Sequence, residues 1–217
     1  ALFPLDGAWP SSRQVLAAVL IGAWGLRLGL HIAARAAKEP EDARYAQLRR
    51  EWGSRFQPRM FGFLMLQAGA AAFLALSVLA AARKPGADLT AQDGLAALIL
   101  AIAVIGEAAA DRQLAAFKAD PSHRGAVCDR GLWAWSRHPN YFFEWLGWCA
   151  WPILAIDVGG AWPWGWLALT GPAYMYWLLT RVSGIPLLEA HMLRSRPEAF
   201  AAYAARTSAF FLRPPRR

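Results

Sequence analysis

The sequence has little charge, little cysteine and no spacing typical of a metal site. Charged residues make up 18% of its 217 residues, and Cys128 and Cys149 are its two cysteines. A disulfide framework is therefore excluded, and because apolar residues are abundant, a disordered or collagen-like chain is excluded as well. Neither H-E-x-x-H nor C-x-x-C occurs, so the sequence predicts no metal site.

Long apolar stretches take the place of these features. Apolar residues make up 57% of the chain, the mean hydropathy is +0.24, and there are 12 Trp, a residue that favours membrane interfaces. A membrane-spanning helix needs about 20 mostly apolar residues. The sequence therefore predicts an all-α polytopic transmembrane bundle with about five spans, at 13–34, 61–82, 91–110, 141–157 and 161–180.

Basic residues alternate between the connections that join these spans. Residues 35–60, 111–140 and 181–217 are rich in Lys and Arg, whereas residues 83–90 and 158–160 hold few or none. Because basic connections stay in the cytoplasm, the N-terminus is predicted outside and the C-terminus in the cytoplasm. A nucleic-acid surface need not alternate in this way, so the net charge of +8 points to membrane lipids as partners and not to nucleic acid.

The first residues do not resemble a signal peptide. They lack a basic segment followed by an apolar core and a small-residue cleavage site, and Pro4, Trp9 and Pro10 are more typical of a loop between spans. We expect one membrane-embedded domain over residues 1–217, with earlier helices preceding it in the full coding sequence.

A polar stripe follows the third span. Glu107, Asp111, Leu114 and Lys118 are spaced by four, three and four residues, so a continuous helix would place them on one face. A solvated helix end with an internal ion pair would explain Lys118 equally well. Glu107 lies within an apolar run, where a charge is costly, and this favours a functional position facing the interior.

The densest polar group lies where the fourth span begins, at Ser136–Glu144. Pro139 suits the first turn of a helix, and the adjacent Arg137 and His138 would form an anion site with its free N–H groups. Asn140 and Glu144 are four residues apart, on one helical face. This arrangement predicts an amphipathic cofactor with its anionic part at the membrane surface, although ordinary capping and topology would also explain a Pro and a basic residue here.

These residues carry a resemblance to a known family. The runs SRHPNYFFEWLGW, GEAAADRQLAAFK, CDRGLW and RVSGIPLLEAHMLRSRPEAF occur in the order found in bacterial DUF1295 membrane proteins. The resemblance extends from about Trp24 to Phe211. That family is similar to the steroid 5-alpha-reductase-like superfamily, which also contains sterol C=C reductases and isoprenylcysteine carboxyl methyltransferases.

The resemblance implies a bundle, of seven spans in the reductases, that holds NADPH in a cytosol-facing cavity without a Rossmann domain. Asn140 and Glu144 match cofactor contacts, as do Asp111 and Lys118 on the preceding helix, and Glu107 stands where the reductases have Asn. Arg181 matches a basic residue near the cofactor, whereas Glu189 and Tyr203 align with gaps. The predicted cofactor-binding residues are Asn140, Glu144, Arg137, His138, Tyr141, Asp111, Lys118, Glu107 and Arg181.

The sequence also departs from the reductase pattern. If Arg27 is the Arg that holds the substrate in the reductases, the Tyr three residues before it is replaced by Trp24, which cannot supply a phenolic proton. His138 and Tyr141 are chemically capable proton donors, but no spacing singles out either, so the catalytic residue stays unassigned.

The predicted function is NADPH-dependent reduction of an activated C=C bond in a lipophilic, steroid-like or enone substrate, with the cofactor facing the cytoplasm of a bacterial membrane. One alternative is an S-adenosylmethionine-dependent methyltransferase acting on a lipid or prenylcysteine. The other is a non-enzymatic membrane scaffold.

Overall fold

A computed structural model describes residues 11–36, 43–86 and 88–215, with the side chains of residues 35 and 43–47 left aside. Within these ranges the chain is helical and contains no strand, so the predicted all-α class is confirmed. The α-helices are α1 Ser12–Ala36, α2 Ala43–Trp52, α3 Phe56–Ala82, α4 Ala91–Ala119, α5 Leu132–Trp135, α6 Pro139–Ala155, α7 Thr170–Trp177, α8 Ile185–Ser195 and α9 Pro197–Arg206. Residues 1–10, where we predicted a loop between spans, lie outside the described ranges.

Three stretches of helix are long and apolar enough to cross a membrane. They are Ser12–Ala34, Leu48–Ala82 and Ala91–Ala119, and they contain the first three predicted spans. This protein is an integral membrane protein of helical type. The predicted total of five spans and the predicted orientation stay predictions.

The fourth and fifth predicted spans have a different character. Helix α6 covers most of the fourth, and it has 17 residues with Pro152 inside it. The fifth is divided between a 3-10 helix at Pro163–Leu169, helix α7 and a π-helix at Leu178–Val182. A single regular helix over 161–180 is therefore not observed.

Helices α4 and α6 form the centre of the bundle and run antiparallel. Phe143 of α6 lies against Gly106 of α4, and Gly147 lies near Ala103. Small residues at such contacts let two helix backbones approach closely. This register brings the second half of α4 beside the first half of α6, which is where the predicted site residues lie.

The opposite end of the bundle is held by a buried ion pair. Arg13 of α1 is 2% exposed and donates to both carboxylate oxygens of Asp93, which is fully buried. Asp93 also accepts from the backbone N–H of Thr90, at 2.7 Å, which caps the start of α4. The polar cluster and the cavity described below lie at the other end of α4.

Candidate functional site

A polar cluster lies between α1, α4 and α6, and we call it the inner cluster. Its members are Arg27, Glu107, Asp111, Asn140 and Glu144. The Arg27 guanidinium pairs with the carboxylates of Glu107 and Asp111, and these three side chains are 13%, 10% and 14% exposed. The Asn140 amide Nδ2 donates to Asp111 Oδ1 at 3.4 Å. Three helices therefore bring together residues that are more than 100 positions apart in the chain.

Glu144 is held by two indole groups. Trp24 Nε1 donates to Oε2 at 2.9 Å, and Trp148 Nε1 donates to Oε1 at 3.0 Å. The two rings meet edge to face, with centroids 5.7 Å apart. Both carboxylate oxygens of Glu144 are thus satisfied inside the protein. Trp24 stands at the position where the resemblance implies a Tyr. Its indole N–H donates to Glu144.

The inner cluster is rich in acid. It contains three carboxylates, from Glu107, Asp111 and Glu144, and one guanidinium, from Arg27. His31 Nδ1 lies 3.6 Å from Asp111 Oδ2 at the margin, with its side chain 45% exposed. The arrangement favours a group that is positively charged or that donates hydrogen bonds.

Next to the inner cluster is a cavity of about 410 Å³, which we call the cationic cavity. Lys118 at the end of α4, Arg124 in the following connection and Arg196 before α9 line it, and no Asp or Glu is among its described lining residues. Its remaining walls are largely apolar and include Leu114 and Phe200. A cavity of this charge and shape suits an amphipathic anion.

Asn140 connects the two regions, because it lines the cationic cavity and also donates to Asp111. Pro139 places it in the first turn of α6, as the sequence predicts. A ligand in the cavity would therefore meet the inner cluster through this amide.

Arg137 lines the cavity but is engaged within the protein. Its Nε and Nη2 donate to the carboxylate of Glu189 at 2.8 and 3.1 Å, and Nη1 donates to the carbonyl oxygens of Ala204 and Thr207 at 3.1 and 2.7 Å. His138 Nε2 lies 3.1 Å from Oε1 of the same Glu189. The guanidinium and the imidazole thus both contact one carboxylate, which α8 supplies.

The pKa of Glu189 reflects this contact. Burial alone would raise the pKa, but the hydrogen bonds from His138 and Arg137 and their charges outweigh it, so the pKa falls from its usual 4.5 to about 2. The carboxylate is therefore ionised at neutral pH. Since Glu189 aligns with gaps, the resemblance assigns it only weakly.

Tyr203 has a structural position in the wall of the cavity. Its hydroxyl donates to the carbonyl oxygen of Trp133 at 2.5 Å and lies 3.3 Å from that of Ser136. Burial raises the pKa of this phenol above its usual value. The hydroxyl fixes the connection that leads into α6.

The nine predicted site residues have four different placements. Glu107, Asp111, Asn140 and Glu144 meet in the inner cluster, while Lys118, Arg137 and His138 line the cationic cavity with Asn140. Tyr141 stacks on His138, with ring centroids 5.5 Å apart. Arg181 is exposed in the π-helix and is not among the residues that line the cavity.

Sequence reasoning missed Arg196, which lies between α8 and α9 and lines the cavity. A lone basic residue in a basic C-terminal region carries no spacing signal that could have singled it out. Among the described residues, no group of three or more His, Cys, Asp and Glu could hold a metal ion.

The model of one family, described as a protein of unknown function (DUF1295), matches residues 2–207. No curated protein and no solved structure matches the chain.

Proposed function

Since this chain belongs to the DUF1295 family, whose function is unknown, we propose an activity from the geometry of its site. We propose that it is a membrane-embedded reductase that uses NADPH to reduce an activated C=C bond in a lipophilic enone. The observation that carries this proposal is the adjacency of the two regions: a cationic cavity with no described acidic lining residue meets an acid-rich inner cluster at Asn140.

The cavity fits the phosphate groups of NADPH by charge. Lys118 and Arg124 are exposed, and Arg196 is half-buried, so these cations are accessible to phosphate oxygens, which Lys and Arg bind well. The volume of about 410 Å³ lies within the usual range of ligand pockets. The phosphate-bearing half of the cofactor would be held by these side chains.

The inner cluster fits the other end of the cofactor. Asn140 has both a donor and an acceptor for a carboxamide group, and the neighbouring carboxylates outnumber the single Arg27. When bound, reduced nicotinamide would supply a hydride to the β carbon of the enone, whose α carbon then takes a proton. Glu107, Asp111 and Glu144 would stabilise the positive charge left on the ring.

The walls around the site account for a lipophilic substrate. Phe143, Trp148 and Trp151 of α6 are buried, and Trp148 donates to Glu144, so the surroundings proposed for the substrate beside Glu144 are apolar. Apolar surroundings strengthen every electrostatic interaction inside the site. Trp24 and Arg27 stand where the resemblance implies the Tyr and Arg that hold the substrate ketone in the reductases. Here they are paired with Glu144 and with Glu107 and Asp111, and we assign no residue as the proton donor.

A binding titration tests the proposal. Purified protein should change the fluorescence of NADPH, and the variants Asn140→Ala and Glu144→Gln should lose this change while remaining monodisperse. Glu198→Gln is the control for Glu144→Gln, because Glu198 is exposed in the first turn of α9. Unchanged affinity in both site variants would remove this site from consideration. Consumption of NADPH should then depend on an added lipophilic enone.

One feature favours a second candidate function. The excess of carboxylates in the inner cluster would also suit the sulfonium of S-adenosylmethionine, as in a methyltransferase acting on a lipid or prenylcysteine. The cationic cavity is better matched to several phosphates than to the one carboxylate of S-adenosylmethionine. Competition separates the two: displacement of NADPH by micromolar S-adenosylmethionine would favour the transferase, and binding of neither would favour a scaffold.

A further inference from the structure

The contact between Glu189 and the Arg137–His138 pair resembles a bound anion. The Glu189 carboxylate accepts two hydrogen bonds from Arg137, at 2.8 and 3.1 Å, and lies 3.1 Å from His138 Nε2. Phosphate oxygens form the same charge-assisted, bidentate contacts with Arg. The carboxylate therefore makes with these two side chains the kind of contact that a phosphate group forms with Arg.

The two basic side chains are anchored by contacts that do not involve Glu189. Arg137 Nη1 binds the carbonyl oxygens of Ala204 and Thr207, and the Arg137 backbone N–H donates to Ser208 O at 2.8 Å. The His138 backbone N–H donates to Ser136 Oγ at 3.1 Å, and its ring stacks on Tyr141. The anion site would thus keep its shape if Glu189 left.

Helix α8, which carries Glu189, buries few of its own side chains. Ile185 is its one buried residue, while Leu187, Leu188 and Leu193 are 56%, 44% and 49% exposed. A π-helix and Gly184 precede it, and a Cβ at Gly184 would collide with the backbone of Leu179. π-helical turns are frequent at functional sites.

We propose that Arg137 and His138 form a phosphate-binding subsite that Glu189 masks, and that a phosphate-bearing ligand displaces Glu189 together with α8. This inference deepens the proposed function, since it concerns the phosphate groups of NADPH. Because Leu188 and Met192 of α8 also line the cavity, the movement would enlarge the cavity where the phosphates bind. The ligand cannot bind to the subsite while Glu189 fills it. The apparent affinity of the protein for the ligand would therefore be the intrinsic affinity multiplied by the fraction of time that the subsite is open.

Calorimetric titration with sodium pyrophosphate tests this proposal on the full chain. Glu189→Gln should bind pyrophosphate about tenfold more tightly than the unmodified protein, as expected if the subsite is open about a tenth of the time. Glu198→Gln removes the same charge from the neighbouring helix and should leave the affinity unchanged. Glu189→Asp keeps the charge with a shorter reach, and it should bind more tightly than the unmodified protein even if Glu189→Gln fails to fold.

Equal or weaker binding by the Glu189 variants would overturn the proposal, because the carboxylate would then only support the fold. Absence of pyrophosphate binding in every variant would overturn it too. Parallel titrations with NADPH separate this inference from the proposed function. If pyrophosphate follows the expected order while NADPH does not bind, the masked subsite stands and the reductase proposal fails.

Discussion

Asn140 is the residue at which the cationic cavity and the inner cluster meet. Its amide donates to Asp111 Oδ1 at 3.4 Å and also lines the cationic cavity. Asn140→Asp removes the N–H donor proposed for the carboxamide and places a negative charge in the wall that is proposed to bind phosphates. NADPH binding, measured by fluorescence titration, should therefore weaken by at least about tenfold, which corresponds to about 1.4 kcal/mol.

Gln113→Glu is the matched control for this change. It adds one negative charge, as Asn140→Asp does, at the end of α4 that lies near Asn140. In the unmodified protein the Leu132 backbone N–H donates to Gln113 Oε1 at 2.9 Å, and a Glu at this position keeps an oxygen that can accept this hydrogen bond. Equal loss of affinity in both variants would show that the effect arises from net charge and not from Asn140.

Glu189 gives the stability of the protein a specific dependence on pH. Its pKa is about 2 in the folded protein against an ordinary 4.5, so its stabilising contribution is complete above about pH 4.5 and declines as the pH falls toward 2. Thermal unfolding in detergent should therefore occur at lower temperature at about pH 3 than at about pH 5. In Glu189→Gln this decline should be smaller, and an identical decline would show that other groups cause it.

At the scale of helices, two glycines lie at the contact between α4 and α6, and they differ in whether the neighbouring helix leaves room for a side chain. A Cβ at Gly147 would make ordinary contact with Ala103 at 3.5 Å, whereas one at Gly106 would overlap the buried ring of Phe143. Gly106→Ala should lower the free energy of unfolding by about 1–3 kcal/mol through overpacking. Gly147→Ala should be neutral or stabilising, since Ala is the better helix former.

Thermal unfolding of the two variants side by side measures this difference. Equal stability would mean that α4 and α6 do not pack in the register described.

The sequence predicted both helices and the four-residue spacings of their polar side chains, because these are local properties. It did not predict the register, which depends on Phe143 fitting over Gly106 across 37 residues of chain.

The division of the fifth predicted span also arises from contacts distant in sequence. Ser77 Oγ of α3 donates to the Ala168 carbonyl oxygen at 2.8 Å, and a Cβ at Gly171 would strike Ser77. These contacts bring the 3-10 helix and α7 close to α3. Hydropathy alone showed an apolar stretch over 161–180, and it carries no information on such contacts.

At the scale of the whole molecule, the two ends of the bundle differ in their polar groups. One end contains the inner cluster and the cationic cavity, and the other is stabilised by the ion pair between Arg13 and Asp93, whose side chains are 2% and 0% exposed. Arg13→Met should lower the free energy of unfolding by about 3–5 kcal/mol, because it leaves a buried carboxylate without its cation. At temperatures where the variant stays folded, its affinity for NADPH should match that of the unmodified protein.

Thermal unfolding and NADPH titration of the Arg13→Met protein check both expectations. A loss of affinity without a loss of stability would contradict the separation of the two ends.

Only part of this division between the two ends could be predicted from the sequence. Alternating charge placed the predicted site at one end, but the Arg13–Asp93 pair joins residues 80 positions apart, and no pattern in the sequence pointed to it.

A structure of crystals grown from lipid in the presence of NADPH would show where the cofactor binds. We expect phosphate density beside Lys118, Arg124 and Arg196, with the nicotinamide within hydrogen-bonding distance of Asn140 in the membrane-embedded bundle. Density for NADPH elsewhere on the protein, or a cavity that contains only solvent at saturating NADPH, would contradict it.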